Sequence, residues 1–244
     1  MTRKRLLPLR KFLQNEWDSL RTRISQAVRD LRAAMCPCYC LTCGDVRTAL
    51  SRGLVPQGWN WYSPGATIDL LAWVQEMKAR LNLLWSYVSS PSPLNNSYNI
   101  SVFQHPVRLL HCLLQEKAWK DSRDLDQYTL YMQVSDRRPL SPDVYGLTLT
   151  GLYIKHALWD TRQSFLQETL SHKLCALPEV RVSVIPKDEI PVSPVSLYLC
   201  PVYPSYVATG SALCRESAVL LLPLPSHIPP SVWSVRGVHA ISLL

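Results

Sequence analysis

In the stretch Leu125-Asp126-Gln127-Tyr128-Thr129-Leu130-Tyr131-Met132-Gln133-Val134 the apolar pattern of the sequence changes period. Strand-favouring residues and partial alternation replace the three-and-four spacing found upstream. The same signal returns at 145–155, 180–185, 195–203, 218–224 and 235–243, with Pro or Gly in nearly every gap. The chain therefore reads as α+β. Helices occupy residues 1–122, and a mostly antiparallel β-rich half, expected to form a small barrel-like sheet, occupies residues 123–244.

Upstream, the clearest element is a helix. Leu13, Trp17, Leu20, Ile24, Ala27, Leu31 and Ala34 recur in alternating steps of four and three, an apolar seam that Pro37 ends. Such a seam needs a partner, either within its own domain or on another protein. A short helix is expected over 45–51, with Gly53 as its C-terminal cap. Trp59, Trp61 and Tyr62 follow in a turn-rich link and are expected to dock on the helices. The next helix is expected over 67–88. Leu70, Val74, Met77, Leu81, Leu84 and Val88 mark its buried face, and Asp69 suits its N-terminal dipole. Residues 89–99 have linker composition. Pro106 then opens a helix carrying Leu109, Leu110, Leu113 and Leu114.

The 244 residues are too apolar for intrinsic disorder, with 47% hydrophobic and 18% charged. No apolar run approaches the roughly 18 residues of a membrane helix. Glycine is scarce at 8 residues, which argues against phosphate-cradling loops. The net charge of +8 is concentrated in residues 1–32, where nine basic residues face three acids. This reads as a solvated basic helix face. No aromatic-plus-basic motif points to nucleic acid. Glu16 and Asp18 arrive too early for a transit peptide, and no secretory apolar region is present. The protein is thus expected to be intracellular, with mostly reduced cysteines.

Chemistry-bearing motifs are few. Cys36, Cys38, Cys40 and Cys43 form the densest reactive cluster, but one eight-residue run is the wrong spacing for a tetrahedral zinc site. Plain helix-end cysteines are the favoured reading, with metal binding or redox modification as alternatives. The six histidines form no paired ligand motif. No G-x-x-x-x-G-K-[ST] loop occurs, so no nucleotide site of that kind is expected. No catalytic, cofactor-binding or metal-ligating residues are assigned. Trp159 reads as a packing residue and Asp160 as a helix cap.

Four words in order carry a family resemblance. Gly53-Leu54-Val55-Pro56-Gln57-Gly58-Trp59 resembles "GxVPxxW", and the helix through Leu70, Trp73, Val74, Arg80 and Leu81 fits the "LxxWxxDLxxR" that follows it. Gly151-Leu152-Tyr153-Ile154-Lys155-His156-Ala157-Leu158-Trp159-Asp160 resembles "GLFLxGARWD". Tyr198-Leu199-Cys200-Pro201-Val202-Tyr203 resembles "YxCPLY", and Trp233-Ser234-Val235-Arg236-Gly237-Val238 resembles "WxxRGVAL". The sequence thus resembles the C-terminal domain of dynein heavy chains, and the order and spacing of the words agree over nearly its whole length. Among the matched positions, Gly151, Trp159, Asp160, Cys200, Pro201, Tyr203, Trp233, Arg236 and Gly237 are expected to be structural. Departures mark a divergent member, of the kind associated with sperm flagella. His156 stands where the family has glycine, Leu158 where it has arginine, and the aromatic run before the fourth helix is reduced to Phe103.

The resemblance implies a non-catalytic structural and regulatory domain of a microtubule motor, without a cofactor of its own. Such a domain docks on the AAA+ ring of a dynein heavy chain, in cis within a longer polypeptide, with other dynein subunits as further partners. It implies a cytoskeletal location, in a cilium or flagellum axoneme. On this view 244 residues are a fragment, a short isoform or a truncated gene product. Leu13, Trp17, Leu20, Ile24 and Leu31 are the expected docking residues. The alternative is a free-standing adaptor that binds partners through the same helix.

Overall fold

The computed structural model describes residues 7–36, 44–62, 68–134, 145–171, 173–191, 195–204 and 218–244. The protein forms two compact units, Leu13–Ser89 and Met1–Phe12 with Ser90–Leu244. The first contains most of helix α1 (Pro8–Met35), helix α2 (Gly44–Ser51) and helix α3 (Leu70–Ser89). Asp69 caps α3 by accepting a hydrogen bond from the Ala72 N–H at 3.0 Å. Gly53, at φ +69°, lies just beyond α2.

The second unit carries helix α4 (Pro106–Asp121) and three open sheets. One sheet orders β1 (Ser97–Asn99), β3 (Gly146–Thr150), β8 (Val180–Pro186) and β2 (Tyr128–Val134) as β1-β3-β8-β2. A second joins β10 (Leu220–Pro225), β9 (Leu197–Pro204), β11 (His239–Ser242), β4 (Leu152–Lys155) and β7 (Cys175–Ala176) as β10-β9-β11-β4-β7. The third is the hairpin of β5 (Ala157–Asp160) and β6 (Phe165–Glu168). All pairings are antiparallel except β1–β3 and β9–β11. The expected mostly antiparallel pairing is present, whereas the expected barrel-like closure is not.

Alternation decides which faces are buried. In β10, Leu220, Leu222 and Leu224 point inward while Leu221, Pro223 and Pro225 are half-exposed. Its prolines are tolerated because β10 is an edge strand. Pro201 lies on the interior strand β9, yet it pairs only with β10, since the β11 ladder begins at Val202. A missing N–H there breaks no second ladder.

Three sequence expectations need revision. The single strand expected over 145–155 is two, because Gly151 turns the backbone at φ +71° between β3 and β4. The 89–99 linker ends in strand β1, which pairs in parallel with β3. The strand expected from Val235 begins only at His239, because helix α5 (Pro230–Val235) precedes it.

Candidate docking surface

In the helical unit, Ile24, Ala27, Val28 and Leu31 of α1 face Leu70, Trp73, Val74, Met77 and Leu81 of α3 across an open groove of about 380 Å³. Leu50 of α2 and Trp59 complete it. Trp59 is fixed from two sides. Its indole N–H donates to Asp30 Oδ2 at 3.0 Å, and its ring packs 5.6 Å from Trp73. The lining is almost wholly apolar, with Lys78 and Asn82 at its margin. Val28 is 41% exposed, Leu31 38% and Val74 48%, so a strip of apolar surface remains in water.

The five residues expected to dock fall into two groups. Leu13 and Leu20 are buried within the protein, and Trp17 packs 5.3 Å from Trp85. Ile24 and Leu31 line the groove. The N-terminal half of the seam is thus taken up by internal packing, and its C-terminal half borders open space.

The buried face of α3 differs from the one read from periodicity. It consists of Trp73, Met77, Arg80, Leu84 and Tyr87, while Val74 and Leu71 are exposed. Arg80 stands in the middle of this buried face. Its fully buried guanidinium donates to Glu76 Oε1 at 2.5 and 3.0 Å and lies 3.8 Å from the centre of the Tyr62 ring. A paired, stacked guanidinium can occupy a core position that an unpaired cation cannot. Burial also raises the Tyr62 phenol to about 12, against the lowering effect of Arg80. A charged residue scores as solvent-facing in any hydrophobic-period reading, so only the family word through Arg80 hinted at this position.

The other family-word residues lie in the β-rich unit and act as joints. The Gly151 carbonyl accepts from the Leu243 N–H at 2.9 Å. Asn99 closes the same joint. Its Nδ2 donates to the Leu243 carbonyl at 2.5 Å, and its Oδ1 accepts from Ser101 N and Ser242 Oγ, both at 2.9 Å. Nothing in the sequence singles out Asn99, because Ser242 and Leu243 lie more than 140 residues away.

Trp233 is fully buried and donates its indole N–H to Ser226 Oγ at 2.8 Å. The end of α5 follows from its sequence. Gly237 at φ +65° lets its own N–H reach the Ser234 carbonyl and the Val238 N–H reach that of Trp233, both at 3.1 Å. This is a Schellman closure, for which glycine is the favoured residue. Arg236 pairs with Glu168 at 2.7 Å on the surface. Tyr198 donates its hydroxyl to the Val238 carbonyl at 2.6 Å, tying two family words together.

Cys200 is fully buried, and burial pushes its thiol well above the ordinary range. Tyr203 lies edge-on to His239, with ring centres 5.9 Å apart. Trp159 is buried on β5. Asp160 caps a turn rather than a helix. Its Oδ1 accepts from the N–H groups of Arg162 and Gln163, at 2.8 and 3.1 Å, in the β5–β6 hairpin. The chemistry of an N-cap and of an Asx turn is the same, and only the following backbone separates them.

Among the described residues, no group of three or more His, Cys, Asp or Glu side chains could hold a metal ion. Of the cysteine cluster, Cys36 is exposed, and Cys38, Cys40 and Cys43 lie outside the described residues. No described helix is long and apolar enough to cross a membrane.

Comparison with known proteins agrees with the family resemblance. The family model for the C-terminal domain of the dynein heavy chain matches residues 4–242. "Dynein heavy chain domain-containing protein 1" of Mus musculus is 27% identical across 96% of this chain and 6% of its own length. "Dynein axonemal heavy chain 1" of Rattus norvegicus is 27% identical across 81% of this chain and 4% of its own. "Dynein axonemal heavy chain 17" of Homo sapiens is 27% identical across 71% of this chain and 4% of its own. The 244 residues thus span about a twentieth of the relatives they match. With the family model matching residues 4–242 of its 244, this protein belongs to the family of C-terminal domains of dynein heavy chains.

Proposed function

We propose that this protein is a non-catalytic structural and regulatory domain of a dynein-like microtubule motor, which docks on an AAA+ ring through the α1–α3 groove. The observation that carries the reading is the apolar strip of Val28, Leu31 and Val74 left in water beside the groove. Exposed apolar strips of this kind mark protein contacts. Membership of the family supports the ring as the partner, either in cis within a longer polypeptide or in trans. In sequence order, the helical part (1–122) carries docking and the β-rich part (123–244) extends over the ring. Several relatives are named as axonemal heavy chains, which supports a cilium or flagellum as the setting.

The test is binding of the full 244-residue protein to a dynein ring whose own C-terminal domain has been removed. The reading expects saturable binding that Leu31→Asp and Val74→Asp each weaken at least about tenfold, or ~1.4 kcal/mol. Absence of ring binding by the wild-type protein would favour the free-standing adaptor instead.

A further inference from the structure

We propose that the occupant of the α1–α3 groove is an amphipathic helix of a partner protein whose apolar stripe is flanked by carboxylates. The inference uses the groove of the docking reading and adds the chemistry of the element that enters it.

The shape of the groove selects a helix. The floor is formed by two helices, from Ile24 to Leu31 on one side and from Leu70 to Leu81 on the other. At 1.5 Å per residue the longer side spans roughly 16 Å, or about three helical turns. A groove of that length and apolar lining suits a helix presenting anchors at i, i+3 or i+4, and i+7. An extended strand would bring unpaired backbone groups against an apolar floor with only Asn82 and Lys78 to meet them.

The charge at its edges selects the flanks of that helix. Arg21 and Arg32 occupy the same α1 stripe as Val28, seven residues before it and four after it, and both are exposed. Lys78 borders the groove on the α3 side and is exposed. Among the described residues none of these three cations is paired with a carboxylate. Most of the nearby acids are already engaged, although Asp18, three residues before Arg21, is exposed. Asp30 holds Trp59, Asp69 caps α3, Glu76 holds Arg80, and Glu16 is buried. Each long edge of the apolar trough therefore carries an exposed cation, Arg32 on α1 and Lys78 on α3. A partner helix with Asp or Glu beside its apolar stripe gains on both edges, and one with Lys or Arg there is repelled.

The experiment titrates the full protein into three labelled helical peptides of about 18 residues, above the ~12–15 below which isolated helices are marginal. All share one leucine stripe, and the flanks are Glu, Gln or Lys. The Glu peptide should bind at least about tenfold more tightly than the Lys peptide at low salt, and the gap should shrink as salt shortens the Debye length from ~30 to ~3 Å. The surface variant Arg21→Glu/Arg32→Glu/Lys78→Glu should reverse the order, and Leu31→Asp should weaken all three peptides. Equal affinity for the Glu and Lys peptides, no binding at all, or a preference untouched by the charge reversal would each overturn the proposal. So would self-association that Leu31→Asp abolishes, since the occupant would then be a second copy. Ring binding is measured separately on the same variants. Discrimination between peptides without ring binding defeats only the docking reading, and groove-dependent ring binding without discrimination defeats only this inference.

Discussion

Two glycines in family words adopt nearly the same backbone angle in different surroundings, so a matched pair of substitutions separates conformation from contact. Gly151 is at φ +71° and Gly237 at φ +65°. An alanine at either position costs roughly 1–2 kcal/mol for left-handed backbone, partly offset by about 0.4–1 kcal/mol from stiffening the unfolded state. A Cβ on Gly237 meets nothing within 4 Å, so Gly237→Ala should cost about 1 kcal/mol in all. A Cβ on Gly151 would stand 2.6 Å from Asn99 Nδ2 and 2.9 Å from the Leu243 carbonyl oxygen. The carbonyl is backbone, so the joint must open. Overpacking adds about 1–3 kcal/mol, and losing the Asn99–Leu243 hydrogen bond adds ~1 kcal/mol. Gly151→Ala should therefore cost about 3 kcal/mol or more. Native-state hydrogen exchange at the β9 and β11 amides reads both variants in one unit. Protection should fall about fivefold for Gly237→Ala and more than a hundredfold for Gly151→Ala, at 1.4 kcal/mol per decade. Equal losses would show that the Asn99–Gly151–Leu243 joint adds nothing beyond backbone angle, and would refute the steric reasoning.

Arg80→Met should destabilise the helical unit by about 2–4 kcal/mol, because it removes a fully buried, stacked guanidinium and its ion pair with the partly exposed Glu76; this is read by urea unfolding. Arg80→Lys should recover only part of the loss, since an ammonium cannot both stack on Tyr62 and reach Glu76 with two donors. Burial lowers the pKa of His239, helped by nearby Lys155 and His156 and opposed by its hydrogen bond to the Gly237 carbonyl. The unfolded state then binds more protons below about pH 6.5, so this contribution is complete above that pH and declines as the pH falls toward the lowered folded value. His239→Gln should flatten that decline in a series of melts. Cys200 should resist a thiol reagent until the protein unfolds, whereas Cys36 should react in the native state.

Most of the fold is legible because its signals are local. The α1 seam, the Asp69 cap and the β10 alternation are each set by residues within a turn or two of one another. The rest depends on distant partners. Gly151 sits in a run of strand-favouring residues, and although glycine permits a left-handed turn, the local sequence does not show that one forms there. Arg80 is buried only because Glu76 and Tyr62 receive it. The candidate groove is half legible. Ile24 and Leu31 belong to the seam, but Val28 and Val74 become a surface only once α1 and α3 have packed. Its basic α1 edge is visible as a charge excess in residues 1–32, without any sign that Arg21 and Arg32 flank an apolar trough, and Lys78 on the α3 side stands outside that excess.

The most direct measurement is the affinity of the wild-type protein and of Leu31→Asp for a dynein ring lacking its own C-terminal domain. Both proteins are first shown to have matching circular dichroism and melting curves. Saturable binding by the wild type, weakened at least about tenfold in the variant, is the expected result. Equal binding by the two would contradict docking through the groove, and no binding by either would contradict docking on the ring.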